Sequence, residues 1–251
     1  MSVSGSERPL EGRVAVVTGA SRGIGYQAAR AFAAAGAHIV AIARTVGGLE
    51  ELDDEIQALG GQATLVPLDL QDFDGIDRLG AALNERWGRL DILLANAGVL
   101  GQLSPLGHVE TKTWDEVMAV NVTANWRLVR SLDPLLRKSD AGRVIVMSSA
   151  AAHKCRAFWG PYSVSKAAVE AIARTYAHET ENSPIRVVSV DPGATRTAMR
   201  ARAMPGEDPA SLPEPAEIAA ELVKLASPDF ERTDVLYRFA DRSFREYPDY
   251  Q

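Results

Sequence analysis

Tyr162 and Lys166 stand four residues apart in a stretch that reads as helix, so both side chains project from one face. That pairing has a chemical use. A free phenol titrates near pH ~10 and is a poor base at neutral pH. An ammonium beside it favours the phenolate and brings proton transfer towards working pH. Such pairs are also common and mostly inert, so the spacing alone assigns nothing. Ser149 lies thirteen residues upstream of Tyr162, just past the apolar run Arg143 to Ser148. His108, His153 and His178 lack metal-ligand spacing with acids or cysteine, so no metal site is expected. Cys155 has no evident His partner and reads as a pocket or packing residue.

A second stretch with chemical meaning is Thr18-Gly19-Ala20-Ser21-Arg22-Gly23-Ile24-Gly25. It falls between an apolar run, Arg13 to Thr18, and an Ala-rich helical pattern from about Ile24 to Ala35. Glycines there let the backbone turn sharply and approach a pyrophosphate, while a helix start offers unpaired N–H groups and a positive dipole end. The plain alternative is a turn that only joins strand to helix. Its place after the first strand favours phosphate binding.

The elements that must position these residues alternate along the chain. Strands are expected at His38–Ala43, Ala63–Leu68, Leu90–Ala95, Arg143–Ser148, Ile185–Val190 and, as a final edge, Asp234–Phe239. Helices are expected at Leu49–Leu59, Asp72–Trp87, about Trp114–Lys138 and Tyr162–Thr180, with a last one from Pro215. This βαβα order implies right-handed crossovers and a doubly wound parallel α/β sheet of about seven strands with helices on both faces. One domain over 1–251 is expected, with the proline-rich segment 194–215 as a mobile substrate loop inside it.

Composition narrows the function classes. The net charge of -6 argues against nucleic-acid binding, which needs clustered Lys and Arg. No run of 18 apolar residues suggests a membrane span, and Met1 to Gly12 carries no apolar signal core. A single cysteine excludes an internal disulfide. A cytoplasmic protein is expected.

The glycine spacing here is G-x-x-x-G-x-G, at Gly19, Gly23 and Gly25, and TGASRGIG resembles the cofactor signature of the short-chain dehydrogenase/reductase family. Later positions agree in order. Asp69 and Leu70 follow the third strand, where the family binds adenine. Asn96-Ala97-Gly98 matches the family's NAG motif after the fourth, and Asn121 lies in the next helix. Tyr162-Ser163-Val164-Ser165-Lys166 matches YxxSK, and Asp191 to Thr197 matches the PGxxxT turn, with Pro192, Gly193, Thr195 and Thr197 in place. The resemblance spans roughly Leu10 to Ala226, and WGPYSVSK with PGATRTAMRA resembles the family's YciK-type bacterial branch.

That resemblance implies a Rossmann-type fold and a nicotinamide-dependent oxidoreductase acting on a carbonyl or secondary alcohol. It implies Tyr162 as acid and base, Lys166 on the nicotinamide ribose, and Ser149 as hydrogen-bond donor to the substrate carbonyl. It implies that Asn121 holds a water linking Lys166 to solvent. Ser21, Arg22 and Ile24 would line the nucleotide turn. An NAD site typically has an acid after the second strand, whereas Ala41-Ile42-Ala43-Arg44-Thr45 has none. Arg44 and Arg22 suit a 2′-phosphate, which favours NADP(H) over NAD(H).

The substrate pocket is expected from Val99–Leu106, His153–Trp159 and Met199–Pro213. The family's usual glycine- and aspartate-containing ending is absent, and 240–251 reads as a tail with a possible partner role. The helices Trp114–Lys138 and Tyr162–Thr180 could pack across a two-fold axis in a homodimer or homotetramer. Two other functions fit the fold: a non-catalytic nucleotide-binding scaffold, and a sugar-nucleotide epimerase or dehydratase.

Overall fold

The computed structural model describes residues 8–247. One sheet runs through it, in the order β3-β2-β1-β4-β5-β6-β7-β8. The strands are β1 (Val14–Thr18), β2 (His38–Ala43), β3 (Gln62–Pro67), β4 (Ile92–Ala95), β5 (Arg143–Met147), β6 (Arg186–Asp191), β7 (Val235–Arg238) and β8 (Ser243–Glu246). All pairings are parallel except β7 with β8.

The helices are α1 (Gly23–Ala34), α2 (Val46–Ala58), α3 (Phe73–Trp87), α4 (Thr111–Met118), α5 (Ala124–Leu136), α6 (Ala151–Lys154), α7 (Gly160–Glu179), α8 (Ala198–Ala203) and α9 (Pro215–Ala226). Alternation along the strands divides the core in two. Ala15 and Val17 of β1 join the side formed with α1, α2 and α9, while Val14 and Val16 join the side of α3, α5 and α7. Every residue of β1 is buried, as a strand covered on both faces requires.

β1 pairs with β2 on one side and β4 on the other, so the chain order reverses there. A crevice at the carboxyl ends of the strands forms at such a reversal, and it is where open α/β sheets bind ligands.

Three expectations change. The edge strand is β8, an eighth, antiparallel strand that covers β7. Its Phe244 packs on Tyr237 and Phe230, which anchors a polar segment that has no strand periodicity of its own. The long helix expected at Trp114–Lys138 starts at Thr111 and is interrupted by a π-helical stretch, Ala119–Thr123, between α4 and α5. The segment 194–215 holds the short helix α8 and a 3₁₀ turn at Pro209–Ser211. The last four residues of the tail lie outside the described residues.

Candidate active site

The glycine turn sits at the β1–α1 junction and is fitted tightly to the end of β4. Gly19 has φ +67°, a left-handed conformation that a side chain would strain. A Cβ on Gly25 would overlap the Gly19 carbonyl oxygen and come within 2.5 Å of Asn96 Nδ2. The Asn96 amide donates to the Thr18 carbonyl at 2.9 Å. Thr18 Oγ1 in turn accepts from the backbone N–H of Asn96 and of Ala97, each at 3.0 Å. Thr18 is a hub that the sequence reading passed over. Its signal was a hydroxyl at the strand end, directly before the turn.

The start of α1 has no side-chain cap and no acid in its first turn. Its first N–H groups therefore keep their capacity for an anion. Exposed Arg22 sits at that N-cap and Ser21 packs beside Gly48. Arg44, past β2, is exposed, with Nη1 3.7 Å from Asp69 Oδ2. Asp69 also accepts from Gln71 N at 3.0 Å, and Leu70 is buried. At the end of β6, Gly193 N donates to Asp191 Oδ1 at 3.0 Å, and Thr195 Oγ1 donates to the Pro192 carbonyl at 3.0 Å. Thr197 caps α8, and its methyl is the nearest neighbour a Cβ on Gly23 would meet, at 3.6 Å. The residues expected at the nucleotide thus fall on both sides of the crevice.

Pro161 at the start of α7 suits a helix N-terminus, and Tyr162 and Lys166 then lie one turn apart. Both are buried. Lys166 Nζ donates to the Met147 carbonyl at the end of β5 at 2.6 Å and lies 5.7 Å from the Tyr162 ring centre. Burial pushes the Lys166 ammonium down to about 8, against the pull of Glu170. Burial also pushes the Tyr162 phenol up to about 12; Ser149 draws it down and the Asp191 charge raises it further. A Tyr and Lys one helical turn apart would by themselves give a lowered phenol. Loss of solvent is the largest influence on the phenol, because the phenolate would be buried against an apolar wall.

Ser149 follows β5, half-buried, and its Oγ accepts from Ala151 N at 3.2 Å. A Cβ on Gly98 would stand 3.3 Å from Asn121 Oδ1 and 3.6 Å from Lys166 Nζ, so the NAG segment, α7 and the π-helical stretch meet at one point. Asn121 is buried there. Its carboxamide accepts from Val99 N at 2.8 Å and donates to the Val99 carbonyl at 2.9 Å and to Ser165 Oγ at 3.0 Å. Its backbone carbonyl accepts from Asn125 Nδ2 at 2.7 Å. The side chain is thus engaged with backbone, and the carbonyl retains a second lone pair.

Around Tyr162, Leu100 and Ala203 are buried, with Leu103, Ala151, Trp159, Met199 and Met204 packed against them. Trp159 meets Tyr162 edge-on at 6.0 Å. The three segments expected at the pocket therefore converge on its apolar wall. Arg200, next to Met199 on α8, is held by Glu207 at 2.5 and 2.6 Å. Glu170, four residues past Lys166, was also missed. It is buried and bonded to Ser148 and His153.

Residues 13–208 match a family model described as short chain dehydrogenase. The chain belongs to the short-chain dehydrogenase family. As a short-chain dehydrogenase it is an oxidoreductase, and the YciK-type resemblance holds. It is 38% identical over 226 residues to the uncharacterized oxidoreductase YciK of Escherichia coli, covering 89% of each chain. A short chain dehydrogenase from Shigella flexneri, solved in complex with NADP, matches with a TM-score of 0.89 at 36% identity, covering 93% of this chain and 99% of that one. An uncharacterized NAD-dependent oxidoreductase of Mycobacterium tuberculosis is 37% identical over 204 residues, 76% of this chain and 74% of its own. Among the described residues, no helix is long and apolar enough to cross a membrane, and no cluster of three or more His, Cys, Asp or Glu could hold a metal ion.

Proposed function

We propose that this short-chain dehydrogenase reduces the carbonyl of a small, largely apolar molecule to a secondary alcohol, and runs the reverse, with NADP(H) as its nucleotide. The observation that carries this reading is Lys166, beside Gly98 and 5.7 Å from the Tyr162 ring, with Ser149 within reach of the phenol from the end of β5. The uncapped start of α1 and the Gly19–Gly25 contact, which has no room for a side chain, fit a pyrophosphate. When bound, the reduced nicotinamide supplies the hydride.

The chain supplies the rest. Ser149 Oγ donates a hydrogen bond to the carbonyl oxygen and stabilises the charge that develops on it. Tyr162 gives its proton to that oxygen, and the Lys166 ammonium stabilises the phenolate left behind. The phenol is protonated at neutral pH and so carries the proton that reduction needs. The apolar wall of Leu100, Leu103, Trp159, Met199 and Met204 receives the substrate body, and the Arg200–Glu207 pair leaves no spare charge at that position.

NADP(H) is favoured by Arg44, by the missing acid after β2 and by the NADP complex of the Shigella relative. The NAD-dependent mycobacterial relative supports NAD(H) as the alternative. We assign the enzyme to the cytoplasm, as a homodimer or homotetramer in which α5 and α7 meet their copies through exposed Trp126 and Val164.

Oxidation of NADPH and NADH, followed against a panel of ketones, aldehydes and quinones, tests the reading. Turnover with ketones and NADPH is expected. Tight NADPH binding with no turnover of any carbonyl would instead identify a nucleotide-binding scaffold.

A further inference from the structure

Glu170 has no part in the proton transfer described above, yet it is 4% exposed on α7, one turn past Lys166. A carboxylate at such depth is expensive unless it is bonded on all sides. Ser148 Oγ donates to Glu170 Oε1, and His153 Nε2 of α6 stands 3.0 Å from Oε2. Ser148 directly precedes Ser149, and its own N–H donates to the Val190 carbonyl at 2.7 Å. The carboxylate thereby ties the end of β5, and the serine it carries, to α7.

The same carboxylate acts on the lysine. The groups that face Glu170 are Ser148 and His153, Asp191 of β6, the Tyr247 phenol from beyond β8, and Lys166 on its own helix. Burial drives Glu170 towards its neutral form and Asp191 adds to that; Ser148 and His153 oppose it, and the net direction is upward. Negative charge on Glu170, four residues on along α7 and equally buried, in turn opposes the burial that drives Lys166 neutral. His153 has a side chain 51% exposed, so this chain of contacts reaches solvent.

We propose that Glu170, held by Ser148 and His153, is a positioning residue that fixes Ser149 and keeps Lys166 in its ammonium form over the working pH range. This rests on the carbonyl-reducing reading of the site.

The test compares wild type with Glu170→Gln, which keeps the shape and removes the charge, and with His153→Ala, at a half-exposed position. Activity in carbonyl reduction should fall as pH rises through the titration of Lys166. In Glu170→Gln that alkaline limb should move to lower pH by about one unit; in His153→Ala it should move the same way by less. A second readout needs no turnover. The ε-carbon NMR shift of Lys166, assigned against a Lys166→Met background, should titrate at lower pH in Glu170→Gln than in wild type, because the charge that opposes its burial is gone. Superposed profiles for both variants and wild type would overturn the inference. If Glu170→Gln does not fold, the His153→Ala comparison decides alone. Full activity in Tyr162→Phe would overturn the carbonyl-reducing reading itself, so the two failures are separable.

Discussion

Asn121 and Val99 hold one another through two opposed hydrogen bonds, Val99 N to Oδ1 at 2.8 Å and Nδ2 to the Val99 carbonyl at 2.9 Å. Both bonds are made where the helix widens into its π-helical stretch, so the widening aims the carboxamide at the loop that carries Asn96, Ala97 and Gly98. Asn121→Ala leaves the Val99 groups and Ser165 Oγ without these partners. Its cost should be about 2 kcal/mol or more in urea unfolding. NADPH affinity should fall with it, because the loop beside Lys166 loses its tether. An unfolding midpoint equal to wild type would show that the loop holds itself.

Tyr162→Phe removes one oxygen from a buried ring whose packing against Trp159 stays intact. The variant should melt close to wild type and bind NADPH equally well. Its kcat should fall by about 10²–10⁴-fold, the range of a lost general acid. Retention of wild-type kcat would assign the proton to another group, and Ser149 would be the next to change.

The fold was largely legible because β-branched runs and helical patterns alternate without ambiguity, and the glycine turn falls where a phosphate turn belongs. Tyr162, Lys166 and Ser149 were legible as a set only through ordered motifs along the chain. Glu170 was not, although it continues the Tyr162, Lys166 spacing by one more turn. A Glu on a helix reads as solvated until packing shows Ser148 and His153 on either side of it. β8 was hidden for a similar reason. Its residues, Ser243-Phe244-Arg245-Glu246, pair with β7 through backbone and are anchored by Phe244, which no alternation reveals. Likewise the lowered phenol expected from Lys166 alone ignored desolvation, which depends on the whole wall around Tyr162.

Lys166 should cost the fold stability in exchange for function. Its ammonium titrates at about 8 in the folded chain against 10.5 for an exposed lysine. The folded state therefore binds that proton less well than the unfolded state. The penalty is fully present below pH ~8 and is relieved as pH rises from there to ~10.5, since stability rises wherever the unfolded state holds more protons. The shift corresponds to about 3 kcal/mol as an upper order of magnitude. Lys166→Met keeps an unbranched side chain one heavy atom shorter and loses the Met147 carbonyl bond. It should be inactive yet more stable than wild type at pH 7, by about 1–2 kcal/mol. That advantage should shrink between pH ~8 and ~10.5. Thermal melts across that range measure it, and a pH-independent difference would mean that Lys166 is not strained by burial.

Arg44 is the residue expected to govern the nucleotide choice. It stands exposed after β2, where no acid is present, and its nearest anion is Asp69 at 3.7 Å, too distant and too solvated to hold it firmly. A guanidinium so placed is free to meet a 2′-phosphate, and the ribose of NAD(H) offers it only hydroxyls. Arg44→Gln removes the charge without placing a new anion beside Asp69. NADPH should bind about tenfold more weakly, the scale of one charge-assisted hydrogen bond. NADH binding should stay near its wild-type value, so the ratio of the two dissociation constants is the quantity to measure. Arg22→Gln, at the N-cap of α1, should act in the same direction. The wild-type preference should also weaken as salt is raised, because both arginines are exposed and screened. If the ratio is unchanged in both variants and at both low and high salt, the arginines do not read the 2′ position and selectivity lies elsewhere in the crevice.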